Sequence, residues 1–120
     1  MRYFVAERGS DIVGYVVWAE KSGFRAETVV ELEQIAVLPQ FRGQGIGRAL
    51  LKSLFDVNEA LRARDARVKA VLVTTRADND AWRLYQSALG AKVQATITNL
   101  YSADEVIMVA TDPIVHLAKS

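Results

Sequence analysis

The sequence predicts a single α/β domain in which strands outnumber helices, and three observations carry that prediction. Tyr3–Glu7 and Ile12–Ala19 are rich in aromatic and β-branched residues and flank Arg8-Gly9-Ser10-Asp11, the pattern of a β-hairpin. An apolar run ending at Leu38-Pro39 passes into a loop with glycine at 43, 45 and 47, and from there straight into a helix-periodic segment. Val68–Thr75 is nearly continuously apolar apart from Lys69, as expected of a central strand covered on both faces.

Taken in order, the elements read β-β-β-α-β-α-β-β. After the hairpin, residues 20–28, with Ser22 and Gly23, read as a loop, and Val29–Leu38 as a third strand ended by Pro39. From Gly45 to about Arg64, apolar residues recur at Ile46, Leu50, Leu51, Leu54, Val57 and Leu61, a helical period. Arg48, Lys52, Asp56 and Glu59 fall elsewhere on the wheel, so one face meets a sheet. Asp80–Leu89 is a second helix with Trp82, Tyr85, Ala88 and Leu89 on one side, Asp78 or Asn79 as N-cap and Gly90 as terminator. Lys92–Asn99 and Glu105–Thr111 are the last strands, joined by the turn-like Ser102-Ala103-Asp104. Asp112-Pro113 is expected to end regular structure, giving a domain over 1–112 and a tail over 113–120 that is either mobile or docked on a partner.

A chain of 120 residues can bury one core and no second. Its formal charge of +1 gives no field that favours nucleic acid. The local cluster Arg62, Arg64, Arg67 and Lys69 suits a solvated helix C-terminus, where cations complement the dipole. No apolar run reaches the roughly 20 residues that span a bilayer, and Met1–Glu7 reads as a strand rather than a signal peptide, so no membrane partner and a cytoplasmic location are expected. The single histidine, His116, has no neighbouring ligand types, so no metal site is expected. Trp18, Tyr15 and Trp82 read as core or pocket wall. Without cysteine there is neither a disulfide nor a thiol nucleophile, and any acyl transfer must proceed by direct attack.

The glycine loop carries the functional signal. Backbone N–H groups in such a loop converge above a helix start, the dipole adds partial positive charge there, and glycine admits a bulky anion to the main chain. The alternative reading is a tight turn that packs the helix against the sheet. The phosphate loop of NTPases requires Lys-Ser/Thr after its last glycine, where this chain has Ile46-Gly47-Arg48. The dinucleotide fingerprint requires G-x-G-x-x-G, whereas the spacing here is Gly43-x-Gly45-x-Gly47. The pattern Gln/Arg-x-x-Gly-x-Gly/Ala is met by Gln40-Phe41-Arg42-Gly43-Gln44-Gly45. With its flanks Ile35-Ala36-Val37-Leu38-Pro39 and Ile46-Gly47-Arg48-Ala49-Leu50-Leu51, the chain resembles the GNAT family of acyl-CoA-dependent N-acetyltransferases from about residue 3 to about residue 111.

That resemblance implies an α+β mixed sheet and acetyl-CoA as co-substrate. It places the diphosphate of coenzyme A on Gln40, Arg42, Gly43, Gln44, Gly45, Ile46, Gly47 and Arg48, with pantetheine and the thioester carbonyl along the main chain of Ile35, Ala36 and Val37. It also implies that Glu31 or Glu33 is the base for a primary amine. The two stand at i, i+2 in an apolar strand and share one face unless a bulge intervenes. Within the segment Asn79–Gly90, similar to the family's Asn-x-x-Ala-x-x-x-Tyr, Tyr85 would protonate the departing thiolate, and Asn79, one position later than the family's asparagine, would bind the cofactor. For Tyr85 the other reading is a core ring with its hydroxyl bonded to main chain. The strand and two helices that usually precede this hairpin in the family are lacking, which implies an open acceptor side or a wall supplied by a second subunit. A homodimer acting on a small-molecule or protein amine is expected, and the alternative is a non-catalytic acyl-CoA-binding or protein-interaction module.

Overall fold

All 120 residues are described in the computed structural model. The strands are β1 Arg2–Arg8, β2 Asp11–Glu20, β3 Glu27–Val37, β4 Arg67–Arg76, β5 Lys92–Ile97 and β6 Glu105–Thr111, and the helices are α1 Ile46–Leu51, α2 Leu54–Arg62, α3 Ala81–Leu89 and α4 Pro113–Ala118. A single 3-10 turn, Pro39–Phe41, leads into the glycine loop. The strands form one sheet in the order β1-β2-β3-β4-β6-β5, with β3 and β4 parallel and every other neighbour antiparallel. The sheet is thus mixed, as the sequence implies, and the parallel crossover is the glycine loop with α1 and α2.

The helices cover one face of this sheet. Residues opposite each other in register share a face, and Trp18 with Leu32, Val30 with Val71, Val71 with Ala110 and Val73 with Met108 all belong to the core that also holds Leu50, Leu51, Leu54, Val57, Leu61, Leu89 and Leu117. The opposite face carries Val17, Ala19, Glu31, Leu72 and Val109, all outside that core. The expectation that β4 is covered on both faces is therefore corrected. It is central, but Leu72 is only half-buried and Thr74 is exposed. Its near-continuous apolar sequence reflects lateral contact with β3 and β6 on the open face.

Two irregularities in β3 position the site. Pairing with β4 stops at Glu31 opposite Leu72, yet β3 continues to Val37 and β4 to Arg76, so the strands part and leave a gap in the sheet. On the other side, Trp18 pairs with Leu32 and Val17 with Gln34, so Glu33 has no partner and forms a bulge. A bulge shifts the two-residue alternation by one, which is why Thr28, Val30 and Leu32 face the helices before it and Ile35 and Val37 after it.

The helix expected over residues 45–64 is interrupted. Ser53 Oγ donates to Leu50 O at 2.6 Å, and Ser53 N–H and Phe55 N–H bond three residues back rather than four, which separates α1 from α2. The end of regular structure expected at Asp112-Pro113 is also corrected. Proline fixes φ at a helical value and needs no intrahelical donor at the first position, so Pro113 starts α4 instead of ending the fold. Leu117 is buried, and the His116 ring packs on Gly90.

Candidate active site

The glycine loop is held open. Gly43 and Gly45 have φ of +76° and +81°, a left-handed conformation that favours glycine, and nothing lies within 4 Å of where a Cβ would stand on either. In this geometry the backbone N–H groups of residues 43–48 donate to no backbone or side-chain acceptor. Consecutive free amides beside open space suit an anion with several oxygens, such as a diphosphate. Gly47 has a second duty: a Cβ there would stand 3.0 Å from Leu84 Cδ2, so glycine also lets α1 approach α3.

Two adjoining clefts meet here. One, of about 260 Å3, is lined by Phe41, Arg42, Gly43, Gly45, Ile46 and Arg48 among others. The next, of about 450 Å3, is lined by Ile35, Ala36, Asn79, Asp80, Ala81 and Tyr85, and Val37, Arg42, Gly47 and Leu84 belong to both. Gln40 sits exposed in the 3-10 turn and lines neither cleft, while Gln44 accepts a hydrogen bond from Arg8 Nη2 at 3.3 Å. The Arg48 guanidinium donates to Ser87 Oγ at 2.9 Å and to Ser120 Oγ, which ties α1 to α3 and to the end of the fold.

Along the gap, the β3 amides divide between two directions. Leu38 N–H donates to Val13 O, so by antiparallel alternation Ala36 directs its polar groups at β2 and Ile35 and Val37 direct theirs into the gap. Arg42 Nε donates to Val37 O at 3.2 Å from that side, consistent with the alternation. Of the three residues expected to offer main-chain donors, Ile35 and Val37 have theirs free.

Tyr85 enters the second cleft from α3 and is 5% exposed. Its ring belongs to the core, as the alternative reading expects, but its hydroxyl makes no hydrogen bond within the protein, and burial pushes its pKa above the usual phenol value. Asn79 lines the cleft from the turn before α3, where its Oδ1 accepts the Ala81 N–H at 2.9 Å, while the N-cap position expected of it is taken by Asp80, which makes no side-chain capping bond. Asp78, the other expected cap, is instead held by Arg76 through two bonds of 3.0 Å, and the guanidinium keeps its carboxyl below the usual range.

Glu31 and Glu33 line neither cleft. They stand on the open face, where β3 and β4 part, and the bulge at Glu33 does not separate them because both reach one ammonium. Lys21 Nζ lies 3.3 Å from Glu33 Oε1 and 3.8 Å from Glu31 Oε2, with side-chain exposures of 46%, 29% and 20% for Lys21, Glu33 and Glu31. The sequence reading missed Lys21, together with Leu84 and Asp80 in the cleft wall. A lysine just past a strand end gives no local sign of the carboxylates that it reaches. The gap thus joins a helix-side cleft that offers free amides and a phenol to an open face with two carboxylates.

Residues 1–91 match the family model described as Acetyltransferase (GNAT) family. The chain belongs to the GNAT family. It is 35% identical over 83 residues to an L-2,4-diaminobutyric acid acetyltransferase of Vibrio parahaemolyticus, a match that covers 68% of this chain and 42% of that protein, so the chain spans about two fifths of the length of this curated relative. Among solved structures, a ribosomal-protein-alanine N-acetyltransferase from Brucella melitensis superposes with a TM-score of 0.67 at 26% identity, covering 91% of this chain and 67% of that one. Ard1 from Thermoplasma volcanium gives 0.65 at 28% identity, covering 86% and 65%. The GNAT fold expected from the glycine loop is therefore the fold observed.

Proposed function

We propose that this GNAT-family chain is an acetyl-CoA-dependent N-acetyltransferase that passes the acetyl group to a primary amine by direct attack in a ternary complex. The observation that carries the reading is the run of free amides at residues 43–48 beside two adjoining clefts, the second of which is lined by Tyr85 next to the gap in the sheet. Bound acetyl-CoA would supply an activated thioester. The loop amides and Arg42 would hold its diphosphate, and the amides of Ile35 and Val37 would hold the pantetheine and polarise the carbonyl oxygen. Glu31 or Glu33 would take the amine proton on the open face, and Tyr85 would donate its phenolic proton to the leaving sulfur.

The acceptor would approach from the face that no helix covers, where two carboxylates favour a cationic amine. A diamine such as the one in the Vibrio relative's name is the first acceptor to test, and a protein amine is the second. A second copy of the chain laid on this face would supply a wall for the acceptor, so a homodimer is part of the proposal. Calorimetric titration with acetyl-CoA, followed by thiol release with a panel of amines, tests the whole reading. Binding with amine-dependent release is expected, and absence of binding overturns it.

A second reading, an acyl-CoA-binding or interaction module without turnover, is favoured by one observation: Lys21 occupies both carboxylates that an incoming amine would need. Tight binding with no thiol release from any amine would select it.

A further inference from the structure

We propose that Lys21 is itself an acceptor, so that the chain acetylates its own Lys21 Nζ. The inference rests on the acetyltransferase reading above, with the Glu31 and Glu33 pair as its base.

An amine that is to be deprotonated by a carboxylate must lie within hydrogen-bond reach of it. One amine of this chain already stands near that position. Lys21 is the only one of the five lysines whose ammonium pairs with a carboxylate, and it pairs with both candidate bases, at 3.3 and 3.8 Å. Lys52 is turned to the carbonyl of Ser120 on the helix side, and Lys69, Lys92 and Lys119 make no ion pair. The Lys21 backbone is fixed, because its N–H donates to Val29 O at 2.8 Å, so the side chain alone spans the distance to Glu33. A tethered amine acts at a high effective concentration. Its half-exposed ion pair is held weakly enough to exchange, because solvent screens it. Glu33 is the bulge residue two positions before Ile35, which lines the cleft, so the ammonium stands beside the gap through which a thioester would have to reach.

The step balances without any further reactant. Nζ gives one proton to the glutamate carboxylate and forms a bond to the thioester carbonyl carbon, and the carbon–sulfur bond breaks. Of the two protons that Nζ sheds, one ends on the sulfur of coenzyme A by way of Tyr85, and the other leaves to solvent from the carboxylate. The product amide is neutral, so both carboxylates are released to receive the ammonium of an external acceptor.

The test is incubation of the full chain with acetyl-CoA and no added amine, followed by peptide mapping of all five lysines. General acid–base assistance is worth about 100-fold or more, so Lys21 should be labelled at least roughly tenfold faster than the other lysines. That excess should fall in Tyr85→Phe and in the double change Glu31→Gln with Glu33→Gln, while Lys21→Arg should leave only the slow background. Even labelling of all lysines, unaffected by Tyr85→Phe, means simple chemical acetylation and overturns the proposal, as does an unlabelled Lys21. Thiol release with the amine panel, run on the same preparation, keeps the two failures apart: release without Lys21 labelling sinks self-acetylation alone, and no release with any amine sinks the enzyme reading as well.

Discussion

Trp18 Nε1 donates to Ser53 Oγ at 2.8 Å, joining the C-terminal part of β2 to the break between α1 and α2. Both residues are buried, and the same hydroxyl donates onward to Leu50 O, so one serine satisfies an indole and interrupts a helix. Ser53→Ala should leave a buried indole N–H unsatisfied and destabilise the fold by about 1–3 kcal/mol. Urea unfolding measures it, and Trp18→Phe in the Ser53→Ala background should lose less than the sum of the single changes.

Gly45→Trp places a large side chain in the open space above the free amides and forces a left-handed conformation on a residue that resists it. Affinity for coenzyme A should fall at least about tenfold, or ~1.4 kcal/mol, in a titration on protein whose circular dichroism is unchanged. Normal affinity would remove the main support for the loop as a diphosphate site.

Tyr85→Phe should lower the rate of thiol release by about 100- to 10,000-fold while leaving coenzyme A binding intact. The same residue predicts a pH effect on stability. Burial raises the folded-state pKa, so the stabilising effect of the protonated ring is complete below the unfolded phenol value of about 10 and is lost as pH rises through the folded value. Unfolding scans should therefore show wild type losing stability above that pH more steeply than Tyr85→Phe.

Single changes separate the two glutamates. Whichever of Glu31→Gln and Glu33→Gln removes the base should drop kcat by about 100-fold or more, and the other should act mainly on KM for cationic amines. The double variant should be little worse than the more damaging single one.

Gly90 ends α3 at φ +74°, and a Cβ there would stand 2.6 Å from the His116 ring. Gly90→Ala should destabilise the fold by about 1–3 kcal/mol. His116→Ala in the same chain should recover part of that loss, because one of its two sources, the clash with α4, is removed. Thermal unfolding of the three variants decides this.

The glycine loop, the hairpin, the central strand and helix α3 with Tyr85 on its apolar side were legible because each is a local pattern: a spacing, an alternation or a period. What escaped was tertiary. The break at Ser53 depends on a tryptophan 35 positions away in sequence, and the apolar period of residues 46–61 passes through it unchanged. Pro113 reads equally as the end of a strand region or the first residue of a helix, and only the burial of Leu117 and the seat of His116 on Gly90 decide for the helix. Lys21 enters the site through a side chain that crosses from β2 to β3, which no local window contains. The sharing of one face by Glu31 and Glu33 was legible from spacing, whereas the bulge that reorients Ile35 and Val37 was not.

That one unpaired residue at position 33 divides β3 into two stretches with separate tasks. On the proposed reading, residues 27–33 upstream would present their outward side chains to the acceptor, and Ile35 and Val37 downstream would present their free amides to the acyl donor. Because the phase of the strand resets between them, a substitution in one stretch does not turn the other, and the choice of recipient would be able to drift while the grip on the donor stays fixed. A single-residue deletion at 33 would couple the two again, exchanging the faces of every position from 34 to 37 in one step.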